Sequence, residues 1–242
     1  MTKLSVNLNK VALLRNTRDI GIPSVMKAAE TCVRAGAHGL TVHPRPDQRH
    51  IRPSDVFEIA EFVATRSELE FNIEGNPFPE FMDMVRRARP HQCTLVPDSP
   101  EQSTSDHGWN IRQDGPRLQA IVAELHAIGC RVSLFMDPDL EEIRMVPETG
   151  ADRIELYTQP YAAAFERGDV DAVWLQYKEA AAAAQSLGLG VNAGHDLNLH
   201  NLPKFCGIPG IAEVSIGHAL IADALDIGLF NAVRAYLEKL GG

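Results

Sequence analysis

The sequence predicts a single α/β domain, a (β/α)8 barrel of the TIM-barrel type with short extra helical segments, spanning residues 1–242. Short β-branched runs alternate eight times with helical patterns, and glycines follow the helices shortly before the next strand. Strict alternation with short connections implies a parallel sheet. A length of 242 residues suits one such barrel, which commonly has about 250 residues. Eight units favour a closed barrel over an open sheet.

The predicted elements follow in chain order. Predicted strands cover residues 3–7, 39–42, 69–73, 92–96, 131–136, 153–157, 190–193 and 213–216. Predicted helices cover residues 25–35, 53–63, 79–89, 117–128, 137–149, 169–187 and 219–240, with a short helical piece at 199–205. A polar stretch at 97–116 separates the fourth strand from its helix, and loops this long are usually functional or disordered.

Composition excludes several classes of partner. The net charge of −9 argues against nucleic acid or an anionic membrane surface. The four cysteines form no C-x-x-C pair, so we expect free thiols in a reducing compartment. No apolar run approaches eighteen residues and the N-terminus has no apolar leader pattern, so a cytoplasmic protein is expected. No G-x-G-x-x-G or P-loop motif follows any strand.

Polar residues cluster where the predicted strands end, which is where barrels of this class build active sites. The second strand is followed by two imidazoles and two guanidiniums within eight residues, H-P-R-P-D-Q-R-H at 43–50. Such cations suit phosphate or carboxylate, and imidazole carries protons near neutral pH. The alternative interpretation is a solvated loop. The full set of candidates at strand ends is Asn7, Asn9, Lys10, Arg15, Arg18, His43, Arg45, His50, Glu70, Glu155, Asn192, Gly194, His195, Asp196, Gly217 and His218.

Two carboxylates stand inside apolar strands, Glu70 in L-E-F-N-I and Glu155 in I-E-L-Y. A carboxylate facing a barrel interior needs a cation, a hydrogen-bond donor or a proton. The alternative is a structural glutamate on the helix-facing side, held by an arginine.

On the last two strands, N-A-G-H-D and S-I-G-H-A-L each place Gly-His at the strand end. The second motif runs into a helix, whose free N–H groups form a ready phosphate site.

These motifs together resemble the pyridoxine 5′-phosphate synthase family. The resemblance is carried by V-N-L-N-K-V-A-L-L-R-N-T-R, T-V-H-P-R-P-D-Q-R-H-I, L-E-F-N-I-E-G-N-P, C-T-L-V-P, V-S-L-F-M-D, I-E-L-Y-T and V-N-A-G-H-D-L-N-L-H-N, in order along nearly the whole chain. It implies a barrel that condenses 3-amino-2-oxopropyl phosphate with 1-deoxy-D-xylulose 5-phosphate, using neither a metal nor an organic cofactor. It also implies a homo-oligomer, specifically a homo-octamer, with only small phosphorylated molecules as other partners.

The resemblance also implies roles for individual residues. His43, Glu70 and His195 match acid/base groups, and Glu155 matches a carboxylate that stabilises the transition state. Three residues match contacts to the deoxyxylulose phosphate: Arg45, His50 and Thr104. Five match contacts to the amino-ketone phosphate: Asn7, Arg18, Asp196, Gly217 and His218. Asn9 and Lys10 stand where many members have Asp-His, and we expect them to contact substrate. Asp196 stands where Gly is common, and Thr158-Gln159 where Thr-Gly is common.

Three alternatives remain open at this point. A Schiff-base aldolase needs a lysine at a strand end, and only Lys10 is near one. A metal-dependent hydrolase fits less well, because the first strand has no H-x-H pair. A barrel that binds a phosphometabolite without catalysis is the third.

In the 97–116 segment, the hydroxyls of Ser99, Ser103, Thr104 and Ser105 could reach phosphate, which predicts a mobile lid.

Overall fold

The computed structural model describes residues 1–102 and 104–241 and forms one closed barrel of eight parallel strands. The strands are β1 Lys3–Asn7, β2 Gly39–Val42, β3 Glu70–Gly75, β4 Gln92–Leu95, β5 Arg131–Met136, β6 Arg153–Tyr157, β7 Gly190–Gly194 and β8 Ile211–Ile216. Each strand pairs with the next, and β8 pairs with β1 to close the cylinder. The predicted fold class is confirmed.

The helices surround this barrel. They are α1 Asn9–Asn16, α2 Val25–Ala35, α3 Pro53–Ala64, α4 Pro79–Ala88, α5 Ile111–Ala127, α6 Leu140–Met145, α7 Gln159–Arg167, α8 Val170–Ser186, α9 Leu202–Phe205, α10 His218–Ile227 and α11 Leu229–Lys239, with a 3₁₀ turn at Val146–Thr149. Ser24 caps α2 by accepting a hydrogen bond from the Lys27 N–H, and Gly36 ends it at φ 103°. The apolar core lies between the strands and these helices.

Two of the predicted helices differ most from the structure. Helix α5 begins at residue 111 instead of 117, although Gly115 and Pro116 follow its first turn. Its start is held by the Asn110 side chain, which accepts from Gln113, and by the Glu142 carboxylate, which accepts from the Ile111 N–H. These bonds satisfy N–H groups that a helix start leaves unpaired. The predicted 219–240 helix is two helices, separated at Gly228 with φ 82°. Helices α1 and α7 were not predicted individually.

The inside of the barrel is polar. On β3 the inward side chains alternate with apolar ones that face the helices, as the two-residue period of a strand requires. Asn72 donates to Thr41 (Nδ2–Oγ1, 3.4 Å), and the Thr94 hydroxyl donates to Asn72 (Oγ1–Oδ1, 3.1 Å). Lower in the barrel, Gln92 donates to the buried carboxylate of Glu213 (Nε2–Oε1, 3.3 Å). The strands are therefore joined across the axis by hydrogen bonds, and this polar interior leads to the site at its upper end.

Candidate active site

A cavity of about 420 Å³ lies at the carboxyl ends of the strands. Twelve of the residues proposed from sequence line it: Asn7, Asn9, Lys10, His43, Arg45, His50, Thr104, Glu155, His195, Asp196, Gly217 and His218. They come from β1, β2, β6, β7, β8 and the segment after β4, so the closed barrel brings distant parts of the chain to one place. Ser103 lies outside the described residues.

Glu70 does not belong to this cavity, and its predicted place at the site is wrong. It is the first residue of β3, at the amino end of the barrel. Its carboxylate is paired with Lys3 (Nζ–Oε1, 2.6 Å) and with the Arg131 guanidinium. Hydrogen bonds from Lys3 and Arg131 lower its pKa to about 2, overcoming the opposing effect of burial. The alternative interpretation, a glutamate held by an arginine, is the better description.

Glu74 occupies the place expected for Glu70. Strand β3 continues two residues beyond its predicted end, and the inward alternation Glu70, Asn72, Glu74 brings the third member to the cavity. Its carboxylate accepts from Asn7 (Nδ2–Oε2, 3.3 Å) and from Ser215 (Oγ–Oε1, 3.4 Å). The sequence signal was present, since I-E-G at 73–75 places a carboxylate next to a strand-ending glycine.

Glu74 and Glu155 form a pair of buried acids at the floor of the cavity. Glu155 is 3% exposed, and its Oε2 lies 3.5 Å from the Thr94 hydroxyl. Burial, reinforced by the charge of Asp98, raises the pKa of Glu74 to about 8. Burial and then the neighbouring Glu74 raise the pKa of Glu155 well above its ordinary range. The raised pKa values favour the protonated form of both carboxyls, which suits them to act as acids.

His43 and His50 face the same space as neutral imidazoles, with ring centroids 6.2 Å apart. Burial is the main cause that lowers both pKa values, that of His50 to about 4, and the nearby Arg45 guanidinium adds to it. His50 Nδ1 accepts from the Ile51 N–H (2.9 Å). Asn9 holds the end of β2, because its Oδ1 accepts from the His43 N–H (2.9 Å). A neutral imidazole beside a protonated carboxyl supplies both a base and an acid.

His195 stands at the end of β7 in an unusual backbone conformation. It and Asp196 both have positive φ, 88° and 59°, a conformation that non-glycine residues adopt at a cost. The Thr158 hydroxyl donates to the carbonyls of Gly194 (2.7 Å) and His195, which holds this turn. His195 Nε2 lies 3.1 Å from the Thr104 hydroxyl, and Nδ1 lies 3.7 Å from the Asp196 carboxylate. The turn thus aims an imidazole into the cavity.

The cationic side of the cavity is formed by Lys10, Arg45 and Arg49. Arg45 is 5% exposed and donates to the Gln102 carbonyl (Nη1–O, 3.0 Å), as does Arg49 (Nη1–O, 3.0 Å). On the opposite rim, Gly217 precedes α10, and a Cβ there would lie 3.1 Å from that of Asn7. Glycine therefore lets the chain pass close to Asn7 at the start of the helix.

Arg18 is the second predicted site residue that the fold places elsewhere. It follows α1 in an exposed turn and does not line the cavity. Sequence reasoning assumed that every polar residue after β1 would face the axis, whereas α1 carries the chain outward. Arg15 also leaves the cavity, because its guanidinium binds the Asp55 carboxylate (Nη2–Oδ2, 2.9 Å).

Within 1–102 and 104–241, no cluster of three or more His, Cys, Asp or Glu side chains is arranged to hold a metal ion. None of the helices in this described part is both long and apolar enough to cross a membrane.

Comparison with known proteins assigns the family. The family model described as "Pyridoxal phosphate biosynthesis protein PdxJ" matches residues 4–241. A pyridoxine 5′-phosphate synthase of Albidiferax ferrireducens is 56% identical over 243 residues, covering 98% of this chain and 96% of that protein. One of Porphyromonas gingivalis is 52% identical over 241 residues, covering 99% of both. A crystal structure of phosphoribosyl anthranilate isomerase shares the fold alone, with a TM-score of 0.61 at 13% identity over the full length of both chains. Because the family match extends over almost every residue, the chain belongs to the PdxJ family of pyridoxal phosphate biosynthesis proteins.

Proposed function

We propose that this chain is a pyridoxine 5′-phosphate synthase. It condenses 3-amino-2-oxopropyl phosphate with 1-deoxy-D-xylulose 5-phosphate and releases pyridoxine 5′-phosphate, inorganic phosphate and water. The observation that carries the proposal is that one cavity brings together the buried carboxyls of Glu74 and Glu155, three imidazoles and several cationic residues. Imine formation, elimination and ring closure each move protons, and this set can both give and accept them.

The first steps need an acid and a base together. The substrate amine attacks the ketone carbon, and the resulting carbinolamine loses its hydroxyl as water when a proton is supplied. Glu74 is suited to give that proton, since its pKa of about 8 keeps it protonated at neutral pH. His43 is suited to remove the amine proton, since its imidazole is buried and neutral. Glu155, which lines the same cavity and is held by a hydrogen bond from the Thr94 hydroxyl, is suited to stabilise the cationic imine through its carboxyl oxygens.

The later steps eliminate phosphate and close the ring. His195 reaches the cavity from the end of β7 and His43 from the end of β2, so the two imidazoles can serve different carbons of the intermediate. Arg45 with His50 forms the expected pocket for the sugar phosphate. The α10 start with Gly217 and His218 forms the expected pocket for the amino-ketone phosphate. An imine intermediate hydrolyses in bulk water, so closure of the segment after β4 over the cavity is part of the proposal.

The decisive experiment is incubation of the purified protein with both substrates. Expected products are pyridoxine 5′-phosphate, identified by mass and absorbance, and one equivalent of inorganic phosphate. Omitting either substrate should abolish formation of both products, and a metal chelator should leave the rate of product formation unchanged. Failure to form product under conditions where an authentic family member turns over would reject the proposal.

A Schiff-base aldolase is the second candidate, favoured by the one observation that Lys10 lines the cavity. Such an enzyme forms an imine with its own lysine, so borohydride with substrate should add mass to the peptide containing Lys10. In the synthase the amine belongs to the substrate, and no protein adduct is expected.

We also propose a cytoplasmic homo-oligomer, with the octamer as the specific expectation. Its support is the exposure of three large apolar side chains in α1 and the turn after it, Leu14, Ile20 and Ile22, which are 49%, 55% and 62% exposed. Exposed apolar patches commonly mark protein interfaces. Light scattering after size exclusion should give a mass near eight times 26.6 kDa. The free thiols of all four cysteines are consistent with a reducing compartment.

A further inference from the structure

Asp98 is a buried acid just beyond β4 that the proposed mechanism does not use. It is 3% exposed. One carboxylate oxygen, Oδ2, accepts hydrogen bonds from both the Arg45 guanidinium and the Ser105 hydroxyl, the latter at 2.8 Å. Its backbone carbonyl accepts from Asn76 (Nδ2–O, 3.1 Å). The other oxygen, Oδ1, is buried without a hydrogen-bond partner among the described residues.

These bonds make Asp98 a junction between two elements of the site. Arg45 belongs to the loop after β2, and Ser105 to the segment after β4. Arg45 also donates to the Gln102 carbonyl (Nη1–O, 3.0 Å), so the guanidinium and the carboxylate each hold the same segment at a different point. The side chains of Arg45 and Asp98 are only 4% and 3% exposed, so water screens their attraction little.

The pair also separates two cavities. A second cavity of about 570 Å³ lies beside the active site, and Asp98 lines it. His43 and Arg45 line both cavities. The carboxylate thus contacts the guanidinium from the side away from the substrate. A long arginine side chain has many rotamers, and without this contact Arg45 could turn into the neighbouring space.

We propose that Asp98 is a positioning residue: it fixes the Arg45 guanidinium toward the sugar phosphate and ties the segment containing Ser105 to it. The inference rests on the proposed function in one respect, that Arg45 contacts the phosphate of 1-deoxy-D-xylulose 5-phosphate. It adds a residue that touches neither substrate. The direction of the change in binding distinguishes positioning from a simple charge effect. An anion near a phosphate pocket by itself weakens phosphate binding, so removing only a charge would tighten it. Positioning predicts that the same substitution weakens it.

The principal variant is Asp98→Asn, which keeps the shape and removes the charge. Positioning predicts that KM for the sugar phosphate rises about tenfold or more, the scale of losing one charge-assisted hydrogen bond. KM for the amino ketone phosphate should change less than about twofold. Hydrogen exchange of peptides around Gln102 and Ser105 should accelerate in the ligand-free variant. The matched control is Asp83→Asn, which removes an exposed carboxylate lining the same second cavity and should leave both KM values unchanged.

A double-mutant cycle separates positioning from general damage. In an Arg45→Ala background, adding Asp98→Asn should change KM by less than about twofold, since the group it positions is gone. Ser105→Ala leaves the ion pair intact, so it should accelerate exchange of its own segment with a smaller effect on KM. This variant keeps the inference testable if Asp98→Asn fails to fold, which thermal unfolding would reveal.

Three results would overturn the inference. The first is tighter binding of the sugar phosphate by Asp98→Asn, and the second is an equal rise in KM for both substrates. The third is a double variant in which the effects of Asp98→Asn and Arg45→Ala on KM simply multiply, as they do for independent residues. If the wild-type protein forms no pyridoxine 5′-phosphate, the proposed function fails first. If it turns over normally and Asp98→Asn leaves KM and exchange unchanged, only the positioning role fails.

Discussion

Glu74→Gln tests the corrected assignment of the strand β3 acid. Glutamine keeps the length and the hydrogen-bond acceptor of the side chain and removes its titrating proton. The substitution should lower turnover at least about a hundredfold, the usual scale for a general acid or base. The amide oxygen can keep the hydrogen bond from Asn7, and the Ser215 hydroxyl can rotate to accept from the new NH2 group, so the fold should be intact.

The same substitution should change stability in a defined direction. Glu74 has a pKa of about 8 when folded and an ordinary value of 4.5. Folding therefore favours the protonated form, and the contribution of Glu74 to stability falls as pH rises from 4.5 toward 8. At pH 7 the interval of 2.5 units corresponds to about 3 kcal/mol as an upper figure. Glu74→Gln should thus be more stable than wild type at pH 7 and equal to it below pH 4.5.

Glu70→Gln is the matched control on the same strand. Its carboxylate has a pKa of about 2 because Lys3 and Arg131 bind it, so it stabilises the folded state above pH 4.5 and loses this effect as pH falls toward 2. Since the group is half-buried, the loss in the variant at pH 7 should be about 1–2 kcal/mol. Turnover should stay within about threefold of wild type, because Glu70 lies away from the cavity.

The assay combines product formation with urea unfolding at pH 5 and pH 7. The two variants should change activity and stability in opposite ways: Glu74→Gln inactive and more stable, Glu70→Gln active and less stable. Near-normal turnover of Glu74→Gln, or a hundredfold loss in Glu70→Gln, would refute the assignment.

The remaining predictions concern the cavity rim. Arg45→Ala should raise KM for the sugar phosphate about tenfold or more and spare the amino ketone; equal effects would show that the two phosphate pockets are wrongly divided. Asp196→Gly should gain about 1 kcal/mol of stability in urea unfolding, because glycine relieves the left-handed backbone at this position; unchanged or lower stability would contradict strain at this turn. Hydrogen exchange at residues 99–107 should be slowed by 1-deoxy-D-xylulose 5-phosphate, whereas the amide of residue 109 should be equally slow in both states because Trp109 is buried and its backbone N–H donates to the Phe135 carbonyl (2.9 Å); equal rates at residues 99–107 with and without ligand would exclude a lid.

The sequence predicted the architecture because each strand-helix unit carries local signals, and eight such units have few other ways to close. Twelve of the residues proposed from sequence line one cavity because strand ends share one rim. The prediction failed at Glu70 for a physical reason: the inward face of a strand repeats every second residue, so Glu70 and Glu74 share a face but lie at opposite depths of the barrel. The position of a residue along the barrel axis depends on the register of its strand with the neighbouring strands. Arg18 lies outside the cavity of its own chain because the direction of a rim segment depends on packing, and the contact between Arg45 and Asp98 joins residues 53 positions apart in the sequence.

The polar barrel interior has a consequence for which substitutions the protein can accept. An apolar core is governed by volume, so Ile73, which faces the helices, should tolerate valine at about 1 kcal/mol. Inside the barrel, a substitution is tolerated only if each hydrogen-bond donor and acceptor keeps a partner. Thr94→Val is nearly isosteric, yet it would remove the hydroxyl that reaches both Asn72 and Glu155. An unsatisfied buried acceptor costs about 1–3 kcal/mol. The two faces of the same short strands therefore tolerate different substitutions. Side-chain size limits substitutions on the face toward the helices, and hydrogen-bond pairing limits them on the face inside the barrel.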